Sequence, residues 1–224
     1  MAQRIFITGG TGYIGSALLP ILVARGHHVR ALARPGSEDR LPGNVEAVVA
    51  DPLETGAYAH HVPPSDTFVH LIGVAHRSPA EATKFWDVDF VAAQVALKSA
   101  VDAGVRHFVY LSVAQPAPVR KAHLAVRAGC EAAIRESKMP ATFLRPWKAL
   151  GPGHRWPYAL LPLYWILEHL PLTREGASRM GLVTLTQMLH ALVWAVENPP
   201  AGVQILDVPG IRACQIQRAA AEGE

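Results

Sequence analysis

Thr8-Gly9-Gly10-Thr11-Gly12-Tyr13-Ile14-Gly15 is the stretch on which the fold turns. Before it runs Arg4-Ile5-Phe6-Ile7, short, apolar and β-branched, which reads as a buried strand. After it come Ala17-Leu18-Leu19 and Ile21-Leu22-Val23, which read as a helix. A strand, a glycine-rich turn and a helix make a phosphate cradle, because the free N–H groups and positive end of the helix face an anion. Gly9 is expected to permit the tight turn and Gly12 the close approach of a pyrophosphate. Gly15 is expected to let the helix pack on the strand, with Tyr13 and Ile14 opening the helix beside the phosphates. Pro20 lies inside this helix, removes one donor and crowds the Ser16 carbonyl, so a local kink is expected; Gly26 then ends the helix.

Composition narrows the classes. The chain has 224 residues, half of them hydrophobic, enough for one full domain with a small appendage. Charged residues make up 17% and the net charge is +3, too dispersed for a nucleic-acid footprint. The only cysteines, Cys130 and Cys214, are expected to be reduced thiols. The first strand begins at once, without a signal peptide, and no run of 18 apolar residues occurs, so no spanning helix and a cytoplasmic protein are expected. His60-His61 and His27-His28 lack further ligands at metal-binding spacing, and no metal site is expected.

Strand-type runs fall at 4–8, 28–33, 45–50, 67–72, 107–111, 141–144 and 204–208; helix-type segments fall at 12–25, 80–103, 119–137 and 186–197. The runs are apolar throughout rather than alternating, as when helices cover both faces of a parallel sheet. The expectation is an α/β, Rossmann-type doubly wound parallel sheet. Residues 1–150 form the dinucleotide-binding unit, 151–202 a small C-terminal lobe, 203–210 a return to the sheet and 211–224 a tail that frays.

Ligands on such a sheet lie beyond the carboxyl ends of the strands. Arg34 follows strand two, and no acid lies between Gly15 and Glu38 to meet a ribose 2′-hydroxyl. The planar guanidinium suits a 2′-phosphate, which favours NADP(H), with NAD(H) the alternative. Asp51 follows strand three, where it either accepts from the adenine amino group or forms a plain turn before Pro52. Leu71 and Gly73 follow strand four, where a glycine lets backbone lie against a cofactor.

Taken together these features resemble the short-chain dehydrogenase/reductase superfamily, and most closely its extended and atypical branches, including NmrA-like and sugar-nucleotide epimerase/dehydratase-like proteins. Val88-Asp89-Phe90-Val91 resembles the family's Val-Asn segment, with Asp in place of Asn. His107-Phe108-Val109-Tyr110-Leu111-Ser112 resembles the fifth strand ending in its catalytic Ser. Thr142-Phe143-Leu144-Arg145-Pro146 with Gly151-Pro152-Gly153 resembles the sixth strand, and implies that backbone near Pro146 meets the nicotinamide carboxamide.

The family's Tyr-x-x-x-Lys pair is absent. His123 and Arg127 hold the same i, i+4 spacing at the same distance past Ser112, so they are assigned to the Tyr and Lys slots. The resemblance implies that Arg127 holds the nicotinamide ribose. Histidine can give a proton near neutral pH. Arginine cannot pass one on, and its charge disfavours a protonated neighbour. Two readings follow: an oxidoreductase in which Ser112 and His123 protonate a carbonyl, and a sensor or scaffold that binds NADP(H) without turnover. The apolar segment 156–172, with Tyr164 and Trp165, is either core or dimer contact, or a pocket or membrane-surface patch for a quinone-like or isoprenoid substrate.

Overall fold

The computed structural model describes residues 2–73, 85–115, 121–150 and 181–214. Seven parallel strands build the main sheet: β1 (Arg4–Thr8), β2 (His28–Ala33), β3 (Glu46–Val49), β4 (Thr67–His70), β5 (His107–Leu111), β6 (Ala141–Leu144) and, at the far edge, β9 (Val203–Leu206). Their order is β3-β2-β1-β4-β5-β6-β9, so the strand order reverses between β1 and β4. A second, two-stranded parallel sheet joins β7 (Lys148–Leu150) to β8 (Leu182–Thr184). The doubly wound Rossmann-type architecture expected from the alternation of strands and helices is what the chain forms.

The alternation of side chains across each strand explains the continuous apolar runs. Ile5, Ile7, Val69 and Val109 face α1 (Tyr13–Ala24) and α4 (Leu185–Glu197). Phe6, Phe68, Phe108 and Phe143 face α2 (Val91–Asp102) and α3 (Lys121–Glu136). On this second face the parallel register sets Phe6 beside Phe68 and Phe68 beside Phe108, with ring centroids 5.2 Å apart in each pair. Burying each such ring contributes about 2–3 kcal/mol, so both faces anchor the sheet.

The first helix runs unbroken through Pro20, whose ring is exposed. Gly26, at φ +82°, ends it in a Schellman turn: Gly26 N–H donates to the Val23 carbonyl and His27 N–H to that of Leu22. At the start of α4, Thr184 and Gln187 form a reciprocal capping box. This helix packs beside α1 on the sheet. The remainder of the expected C-terminal lobe, including the apolar 156–172 segment, falls within residues 151–180 and lies outside the described residues.

Several boundaries differ from the sequence reading, among them both ends of β3 and the start of α2, and the β7–β8 pair has no counterpart in it; two of the differences have a visible cause. Strand β4 stops at His70, because Leu71 and Ile72 close instead against the Gly9 backbone. The run at 204–208 is shorter at its end because Asp207 caps α5 (Val208–Ala213), accepting from the Gly210 N–H at 3.0 Å. Val208 and Ile211 of α5 are buried. Among the described residues no helix is long and apolar enough to cross a membrane, and Cys130 and Cys214 are free thiols.

The C-terminal ends of α1 and α4 are tied by charge. Arg25 donates to both oxygens of Glu197 at 2.6 and 2.8 Å, and His27 Nε2 lies 3.3 Å from Oε1. Burial opposes ionisation of Glu197, but its bonds from Arg25 and His27 prevail and hold its carboxyl below the ordinary value. A carboxyl depressed on folding stabilises above its unfolded pKa, and that contribution is lost as pH falls through the folded one. Glu197→Gln is expected to cost about 1–3 kcal/mol at pH 7 in denaturant unfolding. The gap to the parent should close as the pH falls below about 4. A gap independent of pH would contradict the ion-pair account.

Candidate functional site

The glycine turn is built by three close approaches. Gly9 sits at φ +81°, and a Cβ there would lie 2.9 Å from the Leu71 carbonyl carbon. A Cβ on Gly15 would fall 2.3 Å from the Gly9 oxygen and 2.7 Å from Gly10 Cα, so α1 can rest on the turn only through glycine. Gly12 donates to the Gly9 carbonyl at 3.0 Å and stands at the N-cap of α1, where no side chain caps the helix. Its N-terminal donors and dipole therefore remain available to an anion. Tyr13, exposed, and Ile14, half-buried, open the helix.

In front of this turn lies a cleft of about 410 Å³, lined by Gly9, Gly12, Arg34, Asp51, Leu71 and Gly73 together with Thr11, Leu32, Pro52, Leu53, Ile72 and Val88. It sits at the carboxyl ends of β1 to β4, where the strand order reverses. Six residues named from the sequence thus meet at one place. Asp51 Oδ1 also accepts from the Leu53 N–H at 2.9 Å, so the turn before Pro52 and the cleft wall are the same feature. Arg40, which no sequence signal indicated, reaches back to the glycine turn and donates to the Thr11 carbonyl at 2.8 Å. A larger hollow of about 650 Å³ lies at the opposite ends of the strands. Its arginines are already committed, Arg4 to Asp66 and Arg30 to Glu46.

The second half of the site hangs on α3, where His123, Arg127, Glu131 and Arg135 recur every four residues along one face. His123 and Arg127 are 5% and 7% exposed. Arg127 Nη1 donates to the Tyr110 hydroxyl at 3.1 Å and to the Leu111 carbonyl at 3.0 Å; Nη2 donates to Asp89 Oδ2 at 2.9 Å. Asp89 is fully buried in a π-helical turn, Phe85–Phe90, that leads into α2. Burial would lower the Arg127 pKa, but Tyr110 and Asp89 outweigh it and raise it, so the guanidinium is permanently charged. A Cβ on Gly73 would lie 2.4 Å from Arg127 Nη2. Gly73 therefore gives room to Arg127 as well as edging the cleft.

Ser112 is 7% exposed, and its hydroxyl donates to Glu131 Oε1 at 2.6 Å. Glu131 also accepts from Arg145 Nε at 2.9 Å and from Arg135 at 3.3 Å. The Ser112 proton is thus directed at a buried, doubly paired carboxylate. Beyond β6, the Pro146 carbonyl accepts from the Ala114 N–H at 3.0 Å, which ties the ends of the fifth and sixth strands together. Under the turn, Thr8 Oγ1 and His70 Nδ1 share a 2.8 Å hydrogen bond. Burial, with the Arg127 cation second, pushes His70 down to about 3, so its ring is neutral.

A glycine turn on the first strand of a doubly wound sheet, opening on a cleft at the switch point, defines a dinucleotide-binding protein of Rossmann type. Residues 5–208 match the NAD dependent epimerase/dehydratase family, and the chain belongs to that family, within the extended short-chain dehydrogenase/reductase group that the sequence resembles. It is 28% identical over 222 residues to the ceramide reductase of Caulobacter vibrioides, a match that covers 97% of this chain and 69% of that one. It is 32% identical over 115 residues to a 4-hydroxy-2-methyl-3-oxo-4-farnesyl-3,4-dihydroquinoline-1-oxide ketoreductase of Stigmatella aurantiaca, of which it spans 33%. The fold is that of the Bordetella bronchiseptica enzyme WbmH in complex with NAD+ (TM-score 0.69, 19% identity, 92% of this chain and 76% of that one).

The contact at Gly73 is open to a direct test. Gly73→Ala should cost about 1–3 kcal/mol, since the methyl meets a guanidinium pinned on three sides. In an Arg127→Met background most of that cost should disappear. An alanine equally costly in both backgrounds would contradict the contact.

Proposed function

We propose that the protein is an NADP(H)-preferring oxidoreductase that reduces an apolar carbonyl or quinone-like substrate. The observation that carries the nucleotide half is the cleft bounded by the glycine turn and Arg34. The uncapped N-terminus of α1 and the absence of a side chain at Gly12, which lines the cleft, fit a pyrophosphate. Arg34 edges the cleft and Arg40 donates to the Thr11 carbonyl of the glycine turn, which supports these two guanidinium groups as partners for a ribose 2′-phosphate. NADPH supplies hydride when bound. Asp51 would receive the adenine, and Pro146 backbone the carboxamide.

The apolar substrate class is supported by the relatives' names, which include reductases of ceramide, of a farnesylated quinoline oxide and of divinyl chlorophyllide. Ser112 and His123 are the groups proposed for the carbonyl. With its hydroxyl donating to Glu131, Ser112 has no second donor for a carbonyl oxygen unless that bond is exchanged, which leaves His123 to supply the proton.

A second reading, a sensor or scaffold that binds NADP(H) without turnover, is favoured by one observation. Both terminal nitrogens of Arg127 are tied to Tyr110, Leu111 and Asp89, which limits its reach toward a nicotinamide ribose.

One experiment tests the cofactor assignment common to both readings, and a second separates them. NADPH should bind at least tenfold more tightly than NADH, and Arg34→Ala or Arg40→Ala should each cost NADPH about tenfold or more while leaving NADH unchanged. Equal affinities that neither variant alters would remove the 2′-phosphate assignment. Oxidation of NADPH by long-chain or polycyclic ketones and quinones should fall at least a hundredfold in His123→Ala with NADPH affinity retained. Tight NADPH binding with no turnover on any such substrate would select the sensor reading.

A further inference from the structure

The buried ion pair between Asp89 and Arg127 lies one helical turn from His123, on the same face of α3. Both partners of that pair are buried: the Asp89 and Arg127 side chains are 0% and 8% exposed. A lone buried arginine there would oppose a second positive charge on the adjacent imidazole, and a lone buried carboxylate would favour it. Present together at 2.9 Å, the two charges oppose one another, so the effect that either alone would have on His123 is reduced.

We propose that Asp89 is a positioning residue of the site: by closing the ion pair with Arg127 it offsets the positive charge one helical turn from His123, so that the buried imidazole takes up a proton more readily than it would beside an unpaired Arg127 and can give that proton to a substrate oxygen. The step rests on the proposed reductase reading and balances without another reactant. The carbonyl carbon takes the hydride that NADPH supplies and the carbonyl oxygen takes the His123 proton. Alcohol, NADP+ and a neutral imidazole result, and the imidazole recovers its proton from water.

The described groups around the pair leave this balance in place. Tyr110 from β5 donates no charge, because burial pushes its hydroxyl well above the ordinary value. His70 from β4 is neutral at about 3. Cys130, on α3, is held as a thiol by burial. Glu131, one turn further along the helix, is answered by Arg145 and Arg135. Asp87, in the same π-helical turn as Asp89, is exposed to water, where its charge is screened.

The pair can be dismantled one charge at a time. The readout is the pH midpoint of the His123 ring in an NMR titration of the apo protein, assigned by its disappearance in His123→Ala. Asp89→Asn should move that midpoint to lower pH and Arg127→Gln to higher pH, each by about tenfold in proton affinity. The double variant Asp89→Asn/Arg127→Gln keeps two neutral amides in place of two charges and should return the midpoint close to that of the parent. A purely structural role predicts no opposite shifts. Shifts of the same sign, or a single variant that folds with an unmoved midpoint, would overturn the proposal. Should either single variant fail to fold, the double variant still decides: a midpoint displaced tenfold from the parent would sink it. His123 titration is independent of turnover, so an inactive protein with the expected midpoints would reject the reductase reading alone.

Discussion

The molecule depends on one contact, the seating of α1 on the turn that precedes it. Gly15 approaches the Gly9 oxygen and Gly10 Cα more closely than any side chain permits. That approach sets the first helix against Ile5 and Ile7 of β1, where Leu18, Leu19 and Leu22 bury their side chains. It also turns the uncapped end of the helix toward the cleft. Core packing and anion binding are consequences of the same missing Cβ. The contact is completed from the other side by the residues after β4: Leu71 donates to the Thr8 carbonyl at 3.0 Å and its backbone lies against Gly9.

The second organising element is a row of buried charges on α3. Arg127 and Glu131 are each satisfied by groups brought from different strands: Tyr110 and Leu111 from β5, Arg145 after β6, and Asp89 from the turn before α2. Isolated buried charges would be costly, and removing one partner of such a pair is typically worth about 3–5 kcal/mol. These pairs therefore fix α3 against the carboxyl ends of the strands. They hold in place the face of α3 that also carries His123, whether the site turns over its cofactor or only binds it.

Much of this was legible in the sequence, and the reason is locality. The strands Arg4–Thr8, His28–Ala33, His107–Leu111 and Ala141–Leu144 agree at both ends with their apolar runs, because helices cover both of their faces. At the edges the rule weakens. In β9, Val203 and Ile205 are partly exposed, and the run continues into Val208, which belongs to α5; only the Asp207 cap marks the change. The glycine turn, Arg34, Asp51, Leu71 and Gly73 were recognisable because each follows a strand end. Asp89 stood out only as a substitution, and its bond to Arg127 spans 38 positions. Glu131 was within reach of the sequence, since it continues the four-residue spacing of His123 and Arg127. Arg40 was not, because its contact with Thr11 depends on how the loop after β2 folds back.

The central claim is that the cleft in front of the glycine turn holds the dinucleotide. Calorimetric titration of the parent and of Gly12→Val with NADPH tests it most directly. The account predicts one-site binding in the parent and its loss in the variant, with the unfolding temperature of the unliganded variant within a few degrees of the parent. NADPH that failed to bind the parent, or bound both proteins alike, would contradict it.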